Sequence, residues 1–387
     1  MDEFRYADPD CFTEEVRMMR DQVRRFVDEE VIPHGDQWEA DGMVPRDIFK
    51  KLGTLGMLGM RHAVDYGGTD MGAVASVAFS EELGRSTYGG FSADILVHTD
   101  MSSTHIGRRG SEAQKQKYLP DLIAGEKVCA IAVTEPGAGS DVAGMRTTAE
   151  RDGNDGYRLN GSKMFITNGV HGDVFIVAAR TDKEVKPSRG ISLFIVEKGT
   201  PGFTVAASLK KHGWRCSDTA ELHFDNAFVP AENLLGEENK GFYGIMDNFQ
   251  NERLVIGGMA VGESAKAIEL TLDYVKTRQA FGGTLWDMQA TRQKLASLAA
   301  KATAAQALLY QAAKLEDDGR DCVKEVSMVK AFCAETVQEI VHACYQLHGG
   351  TGYIEGTPIE RMMRDARILT VGGGATEVML EEVAKRM

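Results

Sequence analysis

Residues 128–141 read VCAIAVTEPGAGSD, and the organisation of the whole chain unfolds from this stretch. Its first half is a short run of small and β-branched apolar residues, the composition of a buried strand. Its second half, Glu135-Pro136-Gly137-Ala138-Gly139-Ser140-Asp141, is a turn. The glycines remove Cβ bulk there and leave amide N–H groups and hydroxyls facing an anionic or polar ligand. Before this stretch the text is helical. TEEVRMMRDQVRRFVDEEVIP (residues 13–33) spaces its apolar residues by three or four until Pro33, and PRDIFKKLGTLGMLGM (45–60) opens with Pro45 at a helix start. The same period continues through residues 75–86, 93–110 and 111–126, with breaks at Gly67-Gly68 and Gly89-Gly90 and a helix cap at Ser111.

After it the grammar changes to short runs of β-branched and aromatic residues with turn signals every eight to twelve positions: YRLNGSKMFITN (157–168), DVFIVAAR (173–180), ISLFIVEK (191–198) and AELHFDNAFV (220–229). These predict an antiparallel β-domain, with Asn160-Gly161 as a hairpin turn. From Gly241 long amphipathic helices return, over residues 255–281, 288–318 and 323–349. No repeat of twenty to fifty residues is present, so the chain is not a solenoid. The expected fold is α+β and multidomain: an N-terminal helical domain over 1–126, a middle antiparallel β-domain over 127–235 and a C-terminal four-helix bundle over 236–387.

At 387 residues the chain is too long for one compact domain. Its formal charge of -13 repels polyanions, which argues against nucleic acid and requires any bound phosphate to be gripped by local basic residues. No run of about eighteen apolar residues crosses a membrane. The acidic start, MDEFRYADPD, lacks the marks of a secretory or transit peptide, which points to a cytoplasmic bacterial protein or, less readily, a processed mitochondrial matrix protein. The six cysteines form no CxxC pair and no metal-ligand spacing, so no metal site is expected. Cys322, Cys333 and Cys344 recur every eleven residues, which returns them to one helix face as packed thiols.

Two motifs make the chain resemble the acyl-CoA dehydrogenase family. Ala132-Val133-Thr134-Glu135-Pro136-Gly137-Ala138-Gly139-Ser140-Asp141 resembles the first signature of that family. Gln346-Leu347-His348-Gly349-Gly350-Thr351-Gly352-Tyr353, followed by Arg361 and Asp365, resembles the second, and the similarity runs over nearly the whole chain. The resemblance implies an FAD enzyme that converts acyl-CoA to trans-2-enoyl-CoA, works as a homotetramer and passes electrons to electron-transferring flavoprotein. By the same resemblance Val133 and Thr134 line the flavin ring, Ser140 bonds the FAD pyrophosphate, and Gly139 belongs to the FAD-binding set. Phe165 stands where the family usually has Trp, stacked on the isoalloxazine, and Thr167 bonds the flavin near N5. On its own residues, Phe165 reads as a buried strand aromatic. Arg278 and Phe281 resemble an arm that reaches the FAD of a neighbouring subunit, and Gln346, Gly349 and Gly350 then meet the adenosine end of that FAD. Read alone, Arg278 is an exposed helix-end cation. Ala375, in place of a usual Thr, and Glu377 also fall in the FAD-binding set.

The reaction needs a carboxylate at the α-carbon, a polarised thioester carbonyl and flavin N5 at the β-carbon. In much of the family the glutamate precedes Gly-Thr in a loop after the second signature; in this chain Gly373 holds that place. Phe249-Gln250-Asn251-Glu252-Arg253-Leu254-Val255 supplies a replacement, because Glu-Arg-Leu-Val resembles the isovaleryl-CoA and long-chain branches, which carry their base there. Glu252 is therefore the expected base. Without the resemblance it reads as a helix-start glutamate paired with the macrodipole or with Arg253. Gly373 would contribute its N–H to the thioester oxygen, and Ser140, Phe249, Arg253 and Gly374 would border the substrate, with Arg253 at the CoA phosphate end. Gly356 and Gln250 also depart from the usual pattern. The resembled branches suggest a branched or medium-to-long acyl group. Two other readings compete: a flavin oxidase or monooxygenase on the same fold, and a non-catalytic flavin- or acyl-CoA-binding subunit of a heteromer.

Overall fold

The first helices form where the apolar period predicts them. In the computed structural model, which describes residues 4–387, α1 (Glu14–Phe26) starts at Thr13, whose hydroxyl accepts from Val16 N. It buries Val16, Met19, Val23 and Phe26 along one stripe. A π-helical turn, Val27–Val31, carries it to Pro33. The start of the acidic leader segment, residues 1–3, lies outside the described residues. Then come α2 (Gly35–Asp41), α3 (Arg46–Thr54), α4 (Gly72–Gly84) and α5 (Gly89–Leu96). A second π-helical segment, Val97–Ser102, joins α5 to α6 (Ser103–Arg109). Helix α7 (Glu112–Ile123) opens on a reciprocal capping box between Ser111 and Gln114.

The sheet contains β1 (Cys129–Ala132), β2 (Thr148–Asp152), β3 (Gly156–Thr167), β4 (Val174–Arg180), β5 (Ile191–Glu197), β6 (Phe203–Ser208), β7 (Thr219–Pro230) and β8 (Leu234–Leu235). Its order is β6-β7-β3-β2-β4-β5-β8, with β1 on β4. The sheet is mostly antiparallel, but β1 and β2 both meet β4 in parallel. Asn160-Gly161 is not a hairpin turn. It lies inside β3, where the register against β7 shifts between Leu159 and Gly161. Gly161 has φ 144, and a Cβ there would stand 2.6 Å from Thr147 Oγ1. The reversal instead falls at Gly153, φ 61, where Asp152 pairs with Gly156 across a tight turn. A sequence signal for positive φ serves a bulge as well as a turn, and the long ladder to β7 decides for the bulge.

Helix α8 (Gly241–Thr277) begins the C-terminal region, followed by the β9 (Gln279–Ala280) and β10 (Gly283–Thr284) hairpin, α9 (Gln289–Asp317), α10 (Val323–His348), α11 (Pro358–Asp365) and α12 (Thr376–Ala384). The two helical regions share one apolar core: Val23, Phe79 and Leu83 join Leu254, Ile268, Leu309 and Val337. At the α4–α8 crossing the backbones nearly touch, since a Cβ on Gly262 would come 1.8 Å from Glu81 O and one on Gly84 2.3 Å from Met259 O. Two further cores flank the sheet. One lies under α7 and the start of α8, the other among the strands themselves. The six cysteines are free thiols, and Cys322, Cys333 and Cys344 are buried. No helix among the described residues is long and apolar enough to cross a membrane.

Candidate active site

Glu252 lies about three turns into α8, beyond the reach of its N-terminal dipole, so the helix-start explanation of this glutamate is corrected. The side chain is 5% exposed, and its Oε1 accepts from Asn248 Nδ2 at 3.0 Å. Burial pushes the carboxyl up to about 7, against a partial downward pull from the Asn248 hydrogen bond and the Arg253 charge. A carboxyl tuned to neutrality in a dry setting suits a general base. Arg253, the next residue, sits over the Phe249 ring at 5.3 Å, and its buried Nε has no hydrogen-bond partner among the described residues.

The loop before α12 meets this face of α8. Gly373 has φ 66, and a Cβ there would fall 2.3 Å from Ile256 Cδ1, one turn along α8 from Glu252. A side chain at Gly373 would have to turn the Cδ1 end of Ile256 aside and hold a left-handed backbone, so the position favours glycine. Gly374, φ 109, is within 3.8 Å of Arg253 Nε by the same construction. The loop is pinned by Lys330 of α10, whose fully buried Nζ donates to Leu369 O at 2.7 Å and also to Gly374 O. Burial holds that ammonium down at about 8. Sequence reasoning missed Lys330, although a lysine set among Met328, Val329, Ala331 and Phe332 was a visible signal. Ala375 caps α12 without a hydroxyl, Thr376 Oγ1 is buried without a hydrogen-bond partner among the described residues, and Glu377 is exposed on the first turn.

The glycine turn after β1 lies beside the end of β3. Met164 N donates to Thr134 O at 2.9 Å, and buried Lys163 donates to Val133 O at 3.0 Å and Glu135 Oε1 at 2.9 Å. Glu135 also accepts from Arg146 N and Thr147 N, so the acid of this motif is structural. Gly137 and Gly139 have ordinary φ and nothing within 4 Å of a would-be Cβ. Nothing among the described residues demands glycine at either place, which leaves the turn open to a ligand laid on it. Ser140 is exposed beside them. Phe165 is not a buried strand aromatic: it is 63% exposed at φ 62, where the β3 register breaks between Lys163 and Ile166. A bulky side chain in the left-handed region, displaying its ring, marks a strained position with a use. Thr167 follows, half-buried and paired with Thr219. Val133 and Phe249 pack against the same apolar cluster, which joins this turn to the early part of α8.

The remaining candidates gather elsewhere. Arg278 caps the far end of α8, roughly 39 Å from Glu252 at about 1.5 Å per residue. Phe281 and Gly282, with φ 53 and 86, close the two-residue β9–β10 hairpin, and Phe281 is 96% exposed. Tyr274 stacks on His348 at 4.4 Å and donates to His348 O at 3.2 Å, which fixes the end of α10 against α8. Gln346, Gly349 and Gly350 are exposed there, and a Cβ on either glycine would meet nothing within 4 Å. The chain thus carries two groups of predicted residues, one around Glu252 and one around Arg278. Among the described residues no cluster of His, Cys, Asp and Glu is placed to hold a metal.

The acyl-CoA dehydrogenase N-terminal, middle and C-terminal domain models match residues 13–126, 130–227 and 239–387. The long-chain specific acyl-CoA dehydrogenase, mitochondrial, of Sus scrofa is 42% identical over 379 residues, 97% of this chain and 87% of that protein. The mitochondrial isovaleryl-CoA dehydrogenase of Pongo abelii is 40% identical over 369 residues, 95% of this chain and 87% of that one. The crystal structure of acyl-CoA dehydrogenase from Geobacillus kaustophilus matches with a TM-score of 0.94 and 40% identity, covering 98% of this chain and 99% of that chain. Other solved relatives hold FAD or FADH2. Agreement of this extent in both sequence and structure makes the chain a member of the acyl-CoA dehydrogenase family of oxidoreductases, whose reaction is the FAD-dependent desaturation of acyl-CoA.

Proposed function

We propose that this chain oxidises an acyl-CoA thioester to the trans-2-enoyl-CoA, with Glu252 as the base. The observation that carries this reading is the pairing of a buried, near-neutral Glu252 with a glycine at 373 whose missing Cβ is filled by Ile256. The open glycines at 137 and 139 and the displayed Phe165 ring fit FAD, which supplies the acceptor for the β-hydride. Val133, Thr134, Gly139, Ser140, Phe165 and Thr167 would hold its flavin and pyrophosphate, and Ala375 and Glu377 would lie at its other edge. Glu252 takes the α-proton, and the Gly373 N–H donates to the thioester oxygen as charge develops there, a contribution of a few kcal/mol. Arg253 offers its unused buried N–H to anionic CoA, the local basic grip that a chain of charge -13 requires. Phe249, Ser140 and Gly374 border the acyl thioester.

The group around Arg278 is too distant along α8 to serve the same FAD as Glu252 within one chain. Arg278, Phe281, Gln346, Gly349 and Gly350 therefore serve a neighbouring subunit's FAD, in a homotetramer that passes electrons to electron-transferring flavoprotein. Free thiols throughout suit a reducing compartment such as the bacterial cytoplasm. The relatives' names support a branched or medium-to-long acyl group as substrate. The test is anaerobic titration of the purified flavoprotein with a panel of acyl-CoAs. Bleaching of the oxidised flavin band in wild type, lost in Glu252→Gln with flavin retained, is expected. Equal bleaching in the variant would remove Glu252 as base, and fastest turnover of straight short chains would remove the substrate assignment.

A further inference from the structure

Asn248 stands one turn before Glu252, and its side-chain amide is fully engaged. Nδ2 donates to Glu252 Oε1 at 3.0 Å and lies 3.2 Å from both Asp100 O and Met101 O. Oδ1 lies 2.8 Å from Thr104 Oγ1, whose one proton it shares with Asp100 O, also at 2.8 Å, and Asn248 is buried. Both carbonyls belong to the π-helical segment Val97–Ser102. A π turn departs from regular α-helical bonding and recurs at functional sites. In this chain its carbonyls also take Asn251 Nδ2, at 2.8 Å from Asp100 O.

We propose that Asn248 is a positioning residue for proton abstraction, fixing the Glu252 carboxylate by one hydrogen bond while the π-helical carbonyls and Thr104 fix Asn248. The inference rests on Glu252 being the base. A glutamate has several rotatable bonds, and a base must meet its C–H within a few tenths of an ångström. Anchoring Oε1 leaves Oε2, which no described residue hydrogen-bonds, to take the proton. An amide suits the task because it is a donor without charge: it favours the ionised carboxylate without neutralising it. The titratable groups to weigh are Arg253, whose charge reaches Glu252, and those of the π segment, α6 and α10, which pack against α8. Arg253 is on its own helix; Asp100, on the π segment, turns its carboxyl to Thr99 and Asn251. His105, on α6, is held neutral by burial, and Lys330, on α10, is committed to the loop carbonyls.

The test is the rate of flavin bleaching by substrate as a function of pH, in the FAD-loaded enzyme and in Asn248→Ala, Thr104→Val and Glu252→Gln. With its donor gone, the ionised base loses support, so the acidic limb of the Asn248→Ala profile should move up by about one pH unit. That shift appears as a roughly tenfold rate loss at pH 6 and little loss at pH 9. Thr104→Val, which frees the other end of Asn248, should shift the limb the same way by less. If Asn248→Ala does not fold, Thr104→Val is judged by the same shift. Superimposed profiles, or a loss uniform across pH, would overturn the inference. Persistent bleaching in Glu252→Gln would instead remove the base assignment and this inference with it; bleaching abolished there with an unshifted Asn248→Ala profile removes the inference alone.

Discussion

Gly373 and Ile256 should be energetically coupled, and a double-mutant cycle can measure by how much. Gly373→Ala places a Cβ 2.3 Å from Ile256 Cδ1 while keeping φ at 66. The left-handed backbone costs a non-glycine residue about 1–2 kcal/mol, and turning the Cδ1 end of Ile256 away from its rotamer adds about 0.5–1.5 kcal/mol. Ile256→Val deletes the offending Cδ1 at a cost of about 0.5–1.5 kcal/mol. The nearest atom left is Ile256 Cγ1 at 3.8 Å, an ordinary contact that the valine retains. In the valine background, Gly373→Ala should therefore cost only the backbone share. The expected interaction energy is about 0.5–1.5 kcal/mol, read from urea midpoints of the FAD-loaded protein followed by flavin fluorescence. Additivity within about 0.3 kcal/mol would refute the packing of the loop on α8.

Glu252→Gln should stabilise the protein while abolishing turnover. The folded carboxyl titrates near 7 against an ordinary 4.5, so the folded state binds the extra proton and stability falls as pH rises between these values. Above pH 7 the penalty is about 3 kcal/mol, so the variant should melt higher than wild type at pH 8 and show no such advantage at pH 4.5; a pH-independent difference would contradict this. Lys330→Met strands the buried carbonyls of Leu369 and Gly374, and should lower the urea midpoint by the equivalent of about 2–4 kcal/mol and slow flavin bleaching. A variant as fast and stable as wild type would show that the loop holds itself. Phe281→Ala removes a ring that its own chain leaves 96% exposed, so melting of the subunit core should hold while flavin content and assembly on size exclusion fall. Unchanged flavin content and assembly would mean the arm serves neither.

Residues whose pattern is local were legible in the sequence. The stripe Val16, Met19, Val23, Phe26 follows directly from the helical period, and Ser111 capped its helix as expected. The family motifs brought out Glu252 and Gly373 as a pair, though not their separation by Ile256. What failed depended on partners distant in sequence. Asn160-Gly161 carried a valid positive-φ signal, but pairing with β7 turned it into a bulge. Glu252 was taken as helix-initial because no cap is evident near Gly241, whose preceding Lys240 makes no side-chain cap bond. Phe165 could not be recognised as exposed, since an aromatic between apolar neighbours has the same pattern whether its strand is regular or broken. Asn248 and Lys330 matter through backbone carbonyls of other segments, and the identity of an accepting carbonyl leaves no mark in sequence.

The core shared by the two helical regions has a consequence for synthesis. Residues 73–84 of α4 are all buried, and much of what buries them is α8, through contacts as close as Gly262 to Glu81 O. Roughly 180 residues separate those two surfaces, which at about 5–20 residues per second is a wait of roughly 10–35 s on the ribosome. Throughout it the face of α4 that α8 covers is left bare, with α1 packed only against another side, while the sheet between can already close on its own strands. Translation in a chaperone-free extract should therefore yield aggregate from chains halted before residue 250 and much less from full-length ones.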